Sequence, residues 1–130
     1  MAPSPVQAAA AAALGDDEHV AEQRERYLRR RTLVLDAVRP LGLEHDGGDA
    51  AFYLWLRAAA ADGSAVDGWS LAAWLASAGG VLAAPGDLYG AAGADHIRLA
   101  LVQPDDAFER VCARLVTDGR KGTPWMTALS

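Results

Sequence analysis

Apolar residues recur at helical spacing between residues 18 and 38. Ala21, Leu28 and Leu35 form one row, Val20, Tyr27 and Val34 the next, and Val38 continues the stripe. Glu22–Arg26 and Glu25–Arg29 fall four apart on the opposite face. Asp16 and Asp17 are suited to cap this helix, and Pro40 ends it. A shorter, alanine-rich helix over 7–14 precedes it, opened by Pro3-Ser4-Pro5 and stopped by Gly15. Beyond residue 40 the period falls to two. Leu43–Asp46 reads as a brief strand, Gly47-Gly48 as a turn, and Phe52–Arg57 as an aromatic-rich strand. Ala58–Asp67 is a small, polar connection. Asp67 then caps a helix whose apolar face is Leu71, Trp74, Leu75 and Ala78, ended at Gly79-Gly80. Val81–Ala84 is predicted as a short strand running into Pro85-Gly86, with a glycine-rich loop over 87–95. His96–Val102 is the clearest strand. Pro104 opens a last helix with Phe108, Val111, Cys112 and Leu115 on one face.

The predicted order α-α-β-β-α-β-β-α gives an α/β (α+β) fold. It is a two-layer sandwich of a small sheet with helices on one face, preceded by two N-terminal helices. The expected division is 1–40 for the N-terminal helices, 41–118 for the sandwich, and 119–130 for a tail that loses periodicity and is expected to be disordered.

Composition narrows the function. The 130 residues are one domain's worth, and 52% hydrophobic content excludes wholesale disorder. Much of that content is alanine and only 7% of residues are aromatic, so the core is expected to be thin. A net charge of −5 leaves no basic excess for phosphates, which excludes a nucleic-acid binder. No run of 18 apolar residues exists to span a membrane, and Val6–Leu14 lacks the basic flank of a signal peptide. One cysteine, Cys112, allows no internal disulfide, and the expected location is cytoplasmic.

Chemistry centres on the strand His96–Val102. Ile97, Leu99 and Leu101 share one face; His96, Arg98 and Ala100 share the other. Arg98 is a permanent cation in an otherwise apolar strand. It is either the planar fork for a substrate carboxylate, or an exposed edge arginine, or half of an internal ion pair. The loop with Pro85-Gly86, Tyr89-Gly90 and Gly93 permits close backbone approach. His19, His45 and His96 match no metal spacing, and no metal site is expected. Cys112 and the tryptophans Trp55, Trp69 and Trp74 read as packing residues, and Arg29-Arg30-Arg31 as a solvated face. Lys121, the single lysine, sits in the tail.

Five segments resemble the C-terminal part of class I/II aminotransferases. They are Pro5–Ala9, His19–Tyr27, Gly47-Gly48 through Phe52–Trp55, Val81–Gly90 and His96–Leu101, and the resemblance spans about Pro5 to Leu115. The pattern is most similar to the succinyldiaminopimelate aminotransferase branch of lysine biosynthesis. The resemblance implies the small-domain fold of that family. It places Arg98 on the arginine that grips the substrate α-carboxylate, with Tyr89 and Gly90 on the loop beside it.

The same resemblance implies transamination between an amino acid and a 2-oxo acid, with pyridoxal phosphate as cofactor and a homodimer as the assembly. The expected substrates are succinyldiaminopimelate and glutamate. The Schiff-base lysine, the partner of the pyridine nitrogen and the phosphate cup would all lie upstream of Met1. This chain is therefore expected to hold no catalytic or cofactor-binding residue and to be inactive alone. Val6, Val20, Tyr27 and part of Phe52–Trp55 would face water and favour self-association. The alternatives are a free-standing carboxylate-binding module and a piece that depends on a partner polypeptide.

Overall fold

The structure, a computed structural model, describes residues 2–49 and 52–119 together with Thr123 and Trp125. Four α-helices are α1 (Ser4–Leu14), α2 (Glu18–Val38), α3 (Gly68–Gly79) and α4 (Asp105–Asp118). Four strands, β1 (Leu43–His45), β2 (Tyr53–Ala58), β3 (Ala84–Pro85) and β4 (His96–Ala100), form one sheet in the order β1-β2-β4-β3. Every pairing is antiparallel. The predicted sandwich is the observed one: α3, α4 and the second half of α2 cover one face of this sheet.

Register explains the two faces. Leu43 pairs with Ala58, Leu56 with Ile97, and Leu54 with Leu99, so all six point into the core. Leu71, Trp74 and Leu75 of α3 and Phe108, Cys112 and Leu115 of α4 meet them there. On the other face Tyr53, Trp55 and Arg57 of β2 stand beside Ala100, Arg98 and His96 of β4. α3 begins where Asp67 accepts the Ser70 backbone N–H at 3.0 Å, and it ends at Gly80 in the left-handed conformation.

The structure departs from the sequence reading in particular places. Val81–Ala83 is not a strand; pairing starts only at Ala84. α3 ends at Gly80, so three residues must carry the chain from the helix layer to the sheet, and Leu82 is left 89% exposed. An apolar cleft of about 410 Å3 opens there, lined by Val81, Leu82, Ala100, Val102 and Phe108 among others. The connection after β2 holds a tight hairpin rather than open loop: Ala59 bridges Ala65, and Asp62 accepts from the Ser64 N–H and hydroxyl. On α2, Arg26 donates to Gln23 at 3.1 Å rather than pairing with Glu22.

Arg30 overturns the reading of the arginine run as a solvated face. It is buried, with its Nη1 donating to the Leu101 carbonyl at 2.9 Å and its Nε paired with Asp105 in the first turn of α4. Its guanidinium lies between the rings of Tyr27 and Phe108. Tyr27 is accordingly partly buried, edge-on to Phe52 at 5.6 Å, and does not stand free in water. Val6, Val20, Phe52 and Tyr53 are exposed as expected. α1 buries none of its residues.

Much of the 119–130 tail, including Lys121, lies outside the described residues. Trp125, however, is buried edge-on against Trp74 and donates from Nε1 to the Leu41 carbonyl at 3.1 Å. Among the described residues no helix is long and apolar enough to cross a membrane, and no cluster of side chains could hold a metal ion.

Candidate carboxylate site on the open face of the sheet

The open face acquires its chemistry from alternation. In an antiparallel pair, residues opposite each other project to the same side. Trp55 faces Arg98 and Tyr53 faces Ala100, so one cation emerges among aromatic neighbours. The Arg98 guanidinium carbon sits 4.3 Å from the Tyr53 ring centre and 4.4 Å from that of Tyr89. Two electron-rich faces thus clasp a planar cation, and each such contact contributes about 0.5–2 kcal/mol according to its exposure. Arg98 is only partly exposed. Among the described residues it makes no ion pair and no hydrogen bond. The internal ion pair that the sequence left open as an explanation is therefore not formed with any described residue. Its donors remain available to an anion.

Tyr89 reaches Arg98 because the glycine-rich loop folds down on the sheet. Short 3-10 turns at Gly86–Tyr89 and Ala91–Gly93 lay backbone against the Trp55 ring. A Cβ on Gly93 would stand 2.5 Å from the Gly86 carbonyl oxygen and 2.9 Å from Trp55. A Cβ on Gly86 would collide with the Gly93 oxygen outright. These two positions admit only glycine if the loop is to stay seated. Gly90, the other loop residue singled out in the sequence, is exposed and holds φ +124°, a conformation that side chains rarely adopt. Its N–H donates to Asp87 at 3.0 Å. Trp69 ties the loop to α3 by donating to the Asp87 carboxylate at 2.8 Å, so this exposed tryptophan is a fastening and not core.

A second polar group braces the same face. His96 is buried, stacked on Trp55 at 5.1 Å and 16°. Its Nδ1 meets Asp95 at 2.7 Å and its Nε2 meets Asp46 at 3.3 Å. Trp55 in turn stands edge-on to Tyr89 at 6.0 Å. The order of contact is therefore His96, Trp55, Tyr89, Arg98. Sequence reasoning placed His96 and Arg98 on one face but missed Tyr53, whose contact depends on inter-strand register. His19 and His45 lie elsewhere, His19 against Asp16 on the N-terminal arm and His45 in β1. Cys112 is buried between α4 and α2, near the Leu33 carbonyl, and burial pushes its thiol up to about 11, as expected of a packing residue.

The comparisons with known proteins bear on the family and the fold. The profile of the family described as aminotransferase class I and II matches residues 1–115. A probable aminotransferase of Mycobacterium tuberculosis is 46% identical over 115 residues, 88% of this chain and 26% of that protein. The 4-dedimethylamino-4-oxo-anhydrotetracycline transaminase of Streptomyces rimosus is 38% identical, over 87% of this chain and 30% of that protein. An LL-diaminopimelate aminotransferase of Dehalococcoides mccartyi is 35% identical, over 87% and 28% respectively. Among solved structures, an aromatic aminotransferase from Pyrococcus horikoshii superposes with a TM-score of 0.71 at 25% identity, over 89% of this chain and 31% of that one. The aspartate aminotransferase of Thermus thermophilus with maleate gives 0.59 at 29%, over 76% and 24%. This chain thus spans between about a quarter and a third of the length of these relatives. On the family match and on the fold, the chain belongs to the class I and II aminotransferases.

Proposed function

We propose that this chain is the lobe of an aminotransferase that receives the substrate's α-carboxylate, with Arg98 as the receiving group. The observation that carries the reading is a partly buried guanidinium held between Tyr53 and Tyr89 with no described acid to neutralise it. A carboxylate meets such a fork with two parallel N–H···O bonds, which are shorter and stronger than neutral ones. The two rings fix the plane of the fork before substrate arrives, so less ordering is lost on binding. Tyr89 and, through its backbone, Gly90 shape the loop side of the site. A substrate fixed at one end by this pair has its Cα held in place for proton removal by a base supplied elsewhere.

The described residues do not fit pyridoxal phosphate, the cofactor expected of the family. A Schiff base needs a lysine amine, and the described residues include no lysine. We assign no step of cofactor chemistry to the described residues, and propose that this chain does not transaminate by itself. The LL-diaminopimelate aminotransferases among the relatives support an amino-dicarboxylate substrate; we propose succinyldiaminopimelate, with glutamate as amino donor. The maleate of the Thermus thermophilus structure is likewise a dicarboxylate.

The test is calorimetry of the purified chain with maleate and glutamate. Saturable binding that Arg98→Gln abolishes and Arg98→Lys weakens is the expected outcome. No heat at millimolar ligand, or unchanged binding in Arg98→Gln, overturns the assignment. Turnover by the purified chain with added pyridoxal phosphate would overturn the claim of inactivity. A second reading, assembly with a lysine-bearing polypeptide, is favoured by α1, which buries none of its residues. Recovery of transamination on mixing the two polypeptides would establish it.

A further inference from the structure

A second cationic site lies on the helix side of the sheet, away from Arg98. Glu44 of β1 pairs with Arg57 on the open face, so its neighbours Leu43 and His45 turn toward the helices. There they meet one side of α2 and the turn after it, where Arg31, Leu35 and Arg39 recur every four residues. Together these residues line a cavity of about 440 Å3.

Three observations give this cavity a charge. Arg31 makes no ion pair with a described residue, and its Nε is buried without a hydrogen-bond partner among them. The desolvation of that N–H is therefore uncompensated. Arg39 is exposed and held only by Asp36 at 3.4 Å, a pair that is cheap to break. His45 sits among them with its pKa lowered, first by burial and then by the Arg31 cation, while Asp46 and Asp49 act in the opposite sense. The one carboxylate in the lining, Glu44, is engaged with Arg57 at 3.4 Å.

We propose that this cavity binds a phosphoryl group, free or as a monoester, bridged between Arg31 and Arg39 with His45 as a third donor. A carboxylate has one charge and two coplanar oxygens, both of which a single guanidinium fork engages in one bidentate pair. A phosphate carries about −1.5 to −2 charges at neutral pH and offers three acceptor oxygens in different directions. Two guanidinium groups and an imidazole from separate elements match the second ligand and exceed the first.

The experiment is an NMR titration of the histidine ring protons of the whole chain, which has three histidines. The probes are inorganic phosphate, methyl phosphate and acetate at constant ionic strength. Saturable movement of His45 with phosphate or methyl phosphate, and a rise in its pKa, supports the site. The stronger of the two names its source as free ion or ester. Arg31→Gln is expected to weaken binding at least about tenfold, the effect of one charge-assisted pair. Arg98→Gln is expected to leave it unchanged, which keeps this site's failure separable from that of the carboxylate site. An equal response to acetate, a response that does not saturate, or unchanged affinity in Arg31→Gln overturns the proposal. If Arg31→Gln does not fold, Arg39→Gln, at an exposed position, carries the test, and unchanged phosphate affinity there is equally decisive.

Discussion

Replacing Arg30 by methionine keeps the apolar stem against Tyr27 and Phe108 and removes only the charged head. The head makes two contacts of unequal worth. Nη1 donates to the Leu101 carbonyl in a buried setting, where Arg30 is 8% exposed. A charged hydrogen bond of this kind contributes about 1.5–3 kcal/mol, and its loss leaves the carbonyl unsatisfied. The pair with Asp105 is worth less, because that carboxylate is 55% exposed and water screens it; at most about 1 kcal/mol belongs to it. Arg30→Met should therefore cost about 2–4 kcal/mol, a large share of the 5–15 kcal/mol typical of a domain. Urea unfolding followed by tryptophan fluorescence measures this as a lower midpoint at constant slope. Crossing it with Asp105→Asn should give a coupling below about 1 kcal/mol. A loss under about 0.5 kcal/mol for Arg30→Met, the value of an ordinary surface change, would refute the claim that this cation clamps α2 to the end of β4.

Three further outcomes are expected. Gly86→Ala should unseat the loop from Trp55, costing about 1–3 kcal/mol by overpacking and weakening maleate binding; unchanged Trp55 fluorescence and affinity would contradict it. Asp67→Ala should cost about 1 kcal/mol near neutral pH through loss of the α3 cap. Hydrogen bonds from Ser70 hold the Asp67 carboxylate below its ordinary value, so its contribution is present above that value and disappears as pH falls through the folded one. The wild-type and Asp67→Ala unfolding curves should then converge in acid, and a constant gap would exclude the cap as cause. Cys112, with its thiol pushed to about 11 by burial, should react with a disulfide reagent at pH 8 at least about a hundredfold slower than free cysteine until urea unfolds the chain; rapid labelling of the folded chain would show that α2 and α4 part easily.

The elements that could be read from the sequence are those whose causes are local. Asp67, the Leu71-Trp74-Leu75 spacing and Gly80 all lie in α3 or at its caps, and the alternation of His96–Ala100 is within β4. The candidate carboxylate site was half legible for the same reason. Arg98 stood out against its own strand, whereas Tyr53 is brought to it by pairing with a strand more than forty positions away. Arg30 was misread because three consecutive arginines look solvated. Its signal was present in phase: Tyr27, Arg30, Val34, Ala37 and Leu41 follow one helical stripe, which puts Arg30 inside and Leu28 outside. The apolar side chains of Val81–Ala84 predict a strand, whereas pairing begins only at Ala84. What decides the segment's state is the distance it must cross after α3, which composition does not encode.

α1 has 11 residues, most of them alanine, and buries none of its side chains. A helix of that length in water sits near balance between helix and coil, because nucleation is costly and few bonds repay it. Its helicity is then a quantity that neighbours can set. Any surface that covers α1 adds its contact free energy directly to that balance, and amide exchange across residues 4–14 will slow in proportion. The arm is thus a built-in gauge of assembly: the ellipticity it contributes should climb with concentration or with an added partner while the sandwich signal stays constant.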